Sequence, residues 1–468
     1  VDDTVTFNQD DFPYLTAELG GGLQVTKHRR PIVSGNDVGA MSLTKLGSGV
    51  GLLGYYMYHG GSNPDSKLST LQESRATGYL NDLPEINYDF NAPIRQYGTI
   101  SDNYREIRLL AYFLQDFGAD LAVLPADIDP DFVKPGDTHT LRVSVRHDDT
   151  HGYVFVNNYQ RRLTMDDHKD VVLKGKTKGE PVRFLKTDIA SGEYAFYPYN
   201  MKIGNAILVS ALATPLCKLS CKDEDVYVFY GDKDPQFTWD GTPAKVINLS
   251  RADALSAARV TLKDHQEYLV LSDDFVWEES GVLRVVGGEE TIIRTFPKLS
   301  KDVLPADFKE IAGEGEFTVY KRSQNNANAQ TSVSFVQSTK TPEELSGKLV
   351  NSCGQPETLK GDEKIYEISV QYERENRNGR KEGYDCILSF DYACESMELY
   401  VNGRKVNDYF YTGQKALFSL GYFDFPTEIT AVLHPLHEGD HIYLQEWPKM
   451  DDKKACRIEG VTLTEQFA

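Results

Sequence analysis

The chain has 468 residues and a formal net charge of −20, from 50 Lys and Arg against 70 Asp and Glu. This length predicts about three domains, and a hydrophobic fraction of 40% with 27 Tyr and 22 Phe excludes a disordered chain. The acidic balance argues against a nucleic-acid partner, which would need clustered Lys and Arg to neutralise phosphates, and no apolar run approaches the length of a membrane span.

Strands and helices alternate up to about residue 122. The spacing of apolar residues predicts a short buried strand at 14–17, a helix at 37–46, a strand at 50–58, and a helix that Ser101 caps and Gly118 ends. Two fully apolar strands, each followed by a helix, indicate a parallel sheet covered by helices. Two such units are too few to close a barrel.

Short alternating segments separated by turn residues follow from residue 123, which is typical of antiparallel β layers. They lie at 141–146, 153–156, 182–185, 194–197, 226–230, 269–271 and 282–286. The polar, low-complexity segment 323–330 predicts a loop or linker. Beyond it, further strands are predicted at 365–371, 386–392, 397–401, 416–420, 429–433 and 441–446. These segments fit a closing β-sandwich of jelly-roll type, and Asn402-Gly403 predicts a hairpin turn.

The six cysteines are sparse and lie beyond residue 216, so the fold does not depend on a dense disulfide framework. Cys217 and Cys221 are closely spaced, but no second Cys or His pair completes four zinc ligands. We therefore expect buried thiols or an occasional disulfide, with neither a metal nor a cofactor.

Glu18 is the first candidate for chemistry, because it ends an apolar strand and precedes a turn of three glycines. In barrel enzymes, catalytic groups lie at that end of a strand. A lone carboxylate is more often solvated or a helix cap. A catalytic role for Glu18 is nevertheless favoured by the second strand. Tyr55, Tyr56 and Tyr58 alternate along it before the polar segment 59–64. Aromatic faces and hydrogen-bonding groups together suit a neutral sugar.

Three segments resemble successive motifs of the glycoside hydrolase family 35 β-galactosidases, in the long form found in gut Bacteroidetes. They are FPYLTAELGGG at 12–22, YYMYHGGSNP at 55–64 and YDFNAPI at 88–94, followed by Gly98 and Tyr104. The resemblance implies the last two strand-helix units of a (β/α)8 TIM barrel at 1–122, β-sandwich domains at 123–322 and a jelly-roll domain at 331–468. It also favours a periplasmic or extracellular location.

The resemblance further implies a retaining exo-β-galactosidase that acts on a β-galactoside glycan, with two carboxyl groups roughly 5–5.5 Å apart. Glu18 matches the nucleophile that forms the covalent glycosyl-enzyme. Tyr56 matches a tyrosine that points into the galactose site, and Tyr58 is a further substrate-binding candidate. Phe90 stands where the family usually has a tyrosine, so either Tyr88 or a water supplies that hydroxyl, or the sugar preference has drifted.

The acid/base glutamate of the family follows an asparagine, and no Asn-Glu dipeptide occurs in these 468 residues. An eight-unit barrel takes roughly 250 residues, so we expect a companion chain or a removed upstream segment to complete it. The start at Val1 rather than Met is compatible with such removal. General acid catalysis contributes about 10²–10⁴-fold, and the chain alone is therefore predicted to be nearly inactive.

Two other functions remain open from the sequence. One is a non-catalytic carbohydrate-binding or scaffold protein, and the other is a hydrolase of another β-linked sugar. His28-Arg29-Arg30 could aim a guanidinium at an acidic sugar or hold a carboxylate in the barrel mouth, although a solvated loop is favoured. Asp273-Asp274 and Glu278-Glu279 fit a solvated β edge better than a second active site.

Overall fold

A computed structural model describes residue 8 and residues 11–128, 133–222, 224–288, 290–323, 331–372 and 384–467. This part of the chain is mostly β-strand, in several sheets, as the sequence predicts. Most of the predicted linker, from residue 324 onward, lies outside the described residues. In the described part no helix is both long and apolar enough to cross a membrane.

The described helices are α1 (Gly35–Gly47), α2 (Asp102–Ala122), α3 (Arg251–Ser256) and α4 (Pro342–Leu345). The first strands are β1 (Leu15–Leu19), β2 (Arg29–Arg30), β3 (Leu52–Tyr55), β4 (Gly61–Ser62) and β5 (Asn87–Tyr88).

The middle of the chain contains β6 (Ala126–Ile128), β7 (Arg142–His147), β8 (Gly152–Asn157), β9 (His168–Val171), β10 (Lys174–Gly175), β11 (Val182–Arg183), β12 (Thr187–Ile189), β13 (Tyr194–Ile203), β14 (Ala206–Ala211), β15 (Thr214–Ser220), β16 (Asp225–Gly231), β17 (Phe237–Asp240), β18 (Val246–Ser250), β19 (Ala257–Thr261), β20 (Glu267–Leu271), β21 (Phe275–Glu279), β22 (Val282–Val286), β23 (Glu290–Phe296), β24 (Phe308–Glu314) and β25 (Phe317–Ser323).

The last region contains β26 (Ser332–Gln337), β27 (Lys364–Gln371), β28 (Tyr384–Ala393), β29 (Ser396–Val401), β30 (Arg404–Phe410), β31 (Ala416–Ser419), β32 (Glu428–His434), β33 (Leu436–His437), β34 (Tyr443–Leu444), β35 (Lys454–Ala455) and β36 (Arg457–Phe467).

The two apolar runs near the start of the chain form a two-stranded parallel sheet, β1–β3, as predicted. Leu53 of β3 packs towards the core that α1 and α2 share with the six-stranded sheet. Successive side chains of a strand point to opposite faces, and Leu52 is accordingly exposed on the other face, at 50%. Its partner in the neighbouring strand, Leu15, is 52% exposed. One face of this sheet is therefore covered by helices, and the other exposes apolar side chains.

Both predicted helices are present, but their ends differ from the prediction in part. A capping box starts α1, because the Ser34 hydroxyl accepts a hydrogen bond from the Asp37 amide, at 3.3 Å, and the Asp37 carboxylate accepts one from the Ser34 amide, at 2.9 Å. The Ser101 hydroxyl does not cap α2. It donates instead to the carbonyl oxygen of Ala92 at 3.1 Å. The predicted end at Gly118 is wrong, since α2 continues to Ala122 and buries Leu121 in the core.

Three larger sheets form the middle of the chain. Their strand orders are β17-β14-β13-β8-β7-β6, β15-β16-β18 and β19-β20-β23-β25-β24. The pairs are antiparallel, as predicted, except for β16 and β18, which are parallel. Buried Arg146 of β7 connects the middle of the chain to the first region, which contains α1 and α2. Its guanidinium donates to the carbonyl oxygens of Leu124 and Leu46 at 2.9 and 3.3 Å.

Two antiparallel sheets, β26-β27-β32-β29-β30 and β31-β28-β36, make up the last region. Ile368 and Leu399 of the larger sheet share one core with Phe390 and Phe418 of the smaller. The predicted hairpin turn is confirmed between β29 and β30, where Asn402 and Gly403 both have positive φ, 51° and 79°.

Candidate functional site

Glu18 and Tyr56 lie at the same edge of the β1–β3 sheet. Leu19 is paired with Tyr55, and the Tyr56 amide donates to the carbonyl oxygen of Leu19 at 3.0 Å. Because the strands are parallel, their carboxyl ends meet at this edge. Both Glu18 and Tyr56 are exposed. The carboxylate is thus accessible, one strand away from a phenol.

The glycine turn after Glu18 packs against backbone from the other two motifs. A Cβ at Gly21 would lie 2.6 Å from the carbonyl oxygen of Met57, and one at Gly22 would lie 2.6 Å from that of Asn91. The Asn103 side-chain amide, on α2, donates to the carbonyl oxygens of Gly21 and Asn91 at 2.9 and 3.1 Å. Only glycine leaves room for this approach, so the structure brings the three motif segments together.

Tyr56, Tyr88 and Phe90 form one aromatic cluster. The Tyr56 and Tyr88 hydroxyls are 3.1 Å apart. The ring of Phe90 is 4.5 Å from that of Tyr88 and meets that of Tyr56 edge-on at 5.9 Å. Phe90 is buried, with a positive φ of 56°. Its ring packs against those of both tyrosines. The position has no hydroxyl of its own, and Tyr88 supplies the hydroxyl that contacts Tyr56.

The Tyr88 phenol is held in its neutral form. Burial raises its pKa, and the hydrogen bond with Tyr56 and the nearby carboxylate of Glu73 raise the pKa further. A neutral phenol can donate a hydrogen bond to a sugar oxygen or to a carboxylate. Glu73, in the loop after β4, is therefore a second acidic group on the Tyr88 side of the site.

Tyr58 does not join this cluster. Its ring lies 6.4 Å from that of Tyr55, and burial together with nearby Tyr104 raises the pKa of its hydroxyl. The Tyr55 hydroxyl donates to Ser42 of α1 at 2.9 Å, and burial raises its pKa to about 12. Of the predicted substrate-binding residues, the structure thus groups Tyr56, Tyr88 and Phe90 and places Tyr58 towards α2.

Asp89 organises the loop that carries Tyr88 and Phe90, and sequence reasoning missed it. Its carboxylate accepts hydrogen bonds from the Arg95 guanidinium at 2.6 Å, from the Gln96 amide at 2.7 Å and from the Asn91 amide at 3.1 Å. The only signal in the sequence is an aspartate two residues before an asparagine, which is common in turns.

The His28-Arg29-Arg30 segment serves the scaffold. Arg30 is fully buried, and its guanidinium donates to the Glu395 carboxylate at 2.6 Å and to the carbonyl oxygen of Tyr411 at 3.1 Å. Arg29 pairs with Tyr443 of β34. The favoured prediction of a solvated loop is therefore wrong for Arg30, and the carboxylate that it holds belongs to the last region of the chain.

Among the described residues, no group of three or more His, Cys, Asp and Glu side chains could hold a metal ion. Cys217 is buried in the core, where burial raises the pKa of its thiol to about 12. Comparison with known proteins gives no further assignment. No protein-family model matches the chain, and no curated protein matches it either.

Proposed function

We propose that the chain is the carboxyl-terminal portion of a retaining glycoside hydrolase that releases terminal β-galactose. The observation that carries the proposal is the edge of the β1–β3 sheet. There the accessible carboxylate of Glu18 lies near the end of one parallel strand, β1, and the phenol of Tyr56 directly follows the other, β3. The likeness of the three motif segments to family 35 β-galactosidases adds to it.

In this proposal Glu18 attacks the anomeric carbon, and the bond from that carbon to the leaving oxygen breaks. An acid outside this chain gives its proton to the leaving oxygen. Water then attacks the anomeric carbon of the glycosyl-enzyme and loses a proton to the same group, so that galactose and the Glu18 carboxylate are released. The paired hydroxyls of Tyr56 and Tyr88 bind the sugar and orient it towards Glu18.

The same proposal assigns residues 1–122 to the last two strand-helix units of a TIM barrel, 123–322 to β-sandwich domains and 331–468 to a jelly-roll domain. A two-stranded parallel sheet with one covered face is unusual, because parallel sheets are normally buried on both faces. Leu15 and Leu52 lie on the uncovered face. Parallel strands of a companion barrel segment, carrying the acid, would cover that face and pair with the free strand edges.

The experiment is active-site labelling of the chain together with the polypeptide that co-purifies with it. An activated 2-deoxy-2-fluoro-galactoside forms the glycosyl-enzyme but slows its hydrolysis, so peptide mass spectrometry should find the adduct on Glu18. Glu18→Gln should abolish labelling, and Glu438→Gln, which changes an exposed carboxylate outside the site, is the matched control and should leave labelling intact. An adduct on any other residue contradicts the assignment, as does an assembly that hydrolyses galactosides equally well with Glu18→Gln.

The buried ring of Phe90 keeps hydrolysis of another β-linked sugar as the second candidate, since a family hydroxyl is absent from this position. A panel of nitrophenyl glycosides separates the two. The fastest turnover on a sugar other than β-galactose would favour the second candidate.

A further inference from the structure

The β21–β22 hairpin carries two aromatic side chains on its outer face. Val276, Leu283 and Val285 are buried in the core on one face. Since side chains alternate along a strand, Phe275 and Trp277 share the opposite face. Their rings are nearly parallel, at 22°, with centroids 5.4 Å apart. The hairpin thus holds an apolar wall where a solvent-facing strand would normally carry polar groups.

This wall lines a cleft between three parts of the molecule. Its other sides are the segment 97–100 before α2, with Arg105 of α2 itself, and residues 464–466 of β36. The cleft volume is about 570 Å³, within the range of small-molecule sites in proteins. It lies outside the set of residues that form the Glu18 site.

Carboxylates outnumber cations in this cleft. Asp273, Asp274 and Glu465 line it together with Arg105. The Arg105 guanidinium is occupied by backbone, because it donates to the carbonyl oxygens of Asp273 at 2.6 Å and Leu255 at 3.3 Å. Burial raises the pKa of Asp274. A phosphate or an acidic sugar would meet net repulsion here, whereas hydroxyl groups would find acceptors.

We propose that this cleft, formed by Phe275, Trp277, Asp273 and Asp274, binds a neutral glycan. The C–H faces of the sugar would pack on the two rings, and its hydroxyls would donate to the two aspartates. A quaternary ammonium group is less well suited, because an aromatic cage surrounds a cation with rings set at steep angles, and these two are nearly parallel. The cleft binds without Glu18 and is independent of the proposed reaction.

The test is isothermal titration of the full chain with β-1,4-linked galactotriose, tri-galacturonate and choline. The neutral trisaccharide should bind, and Trp277→Ala should weaken binding at least about tenfold, with Asp274→Asn as a second variant that keeps the size of the side chain. Trp447→Ala, which removes a partly exposed tryptophan that does not line the cleft, should leave binding unchanged. Circular dichroism confirms that each variant is folded.

Several results would overturn the proposal. These are no binding of the trisaccharide by the wild type, full affinity in both Trp277→Ala and Asp274→Asn, and tighter binding of tri-galacturonate or choline. Glu18→Gln should bind the trisaccharide with unchanged affinity. That measurement separates this site from the proposed hydrolase, whose failure would appear in the labelling experiment alone.

Discussion

His434 is a half-buried histidine between two carboxylates. Its Nδ1 lies 3.5 Å from the Glu363 carboxylate and its Nε2 lies 3.5 Å from that of Glu398. Glu395 is a further carboxylate near it, and Lys405 contacts the same Glu398 carboxylate at 2.9 Å. Burial by itself would lower the pKa of His434, but the hydrogen bond and the charge of Glu398, with the charge of Glu363, outweigh burial and raise it. The charged imidazole is therefore favoured in the folded chain.

A raised pKa makes the contribution of His434 to stability depend on pH. The stabilisation is fully present below the pKa of the unfolded chain, about 6.5, and is lost as the pH rises through the higher pKa of the folded chain. We expect the difference in unfolding free energy between wild type and His434→Gln to be largest near pH 6 and to shrink towards alkaline pH. Urea unfolding across this range measures it.

His437→Gln is the matched control, because His437 is half exposed and lies 3.8 Å from Asp440. Because this pair is solvent-exposed, His437→Gln should change the free energy of unfolding little. A His434→Gln difference that stays constant, or grows, between neutral and alkaline pH would contradict the expected protonation of His434 in the folded chain.

The residues of the candidate site were predictable only as far as the strand periodicity extends. Glu18 and Tyr56 lie at the same edge of the sheet because Glu18 is near the end of β1 and Tyr56 directly follows β3, and this was readable from two apolar runs. Tyr58 was grouped with Tyr56 on the assumption that the second strand continued. In fact β3 ends at Tyr55, and beyond a strand end the two-residue period no longer fixes the face of a side chain.

At the scale of elements, Lys405 joins the β29–β30 hairpin to the first region of the chain. Its ammonium group is almost fully buried and lies 2.9 Å from the Glu85 carboxylate, 2.7 Å from that of Glu357 and 2.9 Å from that of Glu398. Burial would lower the pKa of Lys405, but the surrounding carboxylates raise it well above its usual value. One cation thus neutralises acidic groups from three separate segments.

Removing that cation should destabilise the whole chain. Lys405→Met leaves the carboxylates buried without their counter-ion, and breaking a buried ion pair costs about 3–5 kcal/mol. Chemical denaturation followed by circular dichroism measures the loss. Lys169→Met, which breaks an exposed pair with Asp188, is the matched control and should change little. Equal effects of the two substitutions would contradict a stabilising role of Lys405 in connecting these segments.

The ion pair between Glu85 and Lys405 could not have been predicted from the sequence, since the two residues are 320 positions apart. Sequence signals predicted correctly those features whose physical cause lies within a few residues. The Asn402-Gly403 turn follows from the backbone conformation of its own two residues, and α1 starts where its capping box lies. The predicted end of α2 was wrong because the tertiary burial of Leu121 outweighs the helix-breaking tendency of Gly118.

At the scale of the whole molecule, the uncovered face of the β1–β3 sheet is where we expect the chain to meet the companion segment proposed above. Leu15 and Leu52 are each about half exposed, although they sit side by side on a parallel sheet. Exposed apolar patches of this kind mark interaction surfaces. Among the described residues β1 and β3 pair only with each other, so their outer edges offer backbone groups for further pairing.

The double substitution Leu15→Glu and Leu52→Glu should abolish that association without unfolding the chain, because neither side chain is buried in the described structure. Size-exclusion chromatography with light scattering should show loss of the proposed companion, and the proposed galactosidase activity should fall to the level of the isolated chain. The isolated double variant should also bind less of a dye that fluoresces on apolar surfaces. Leu80→Glu, on a well-exposed loop residue, is the control. Retention of the companion by the double variant would place the contact elsewhere, because two buried glutamates on an apolar sheet face would be left without partners.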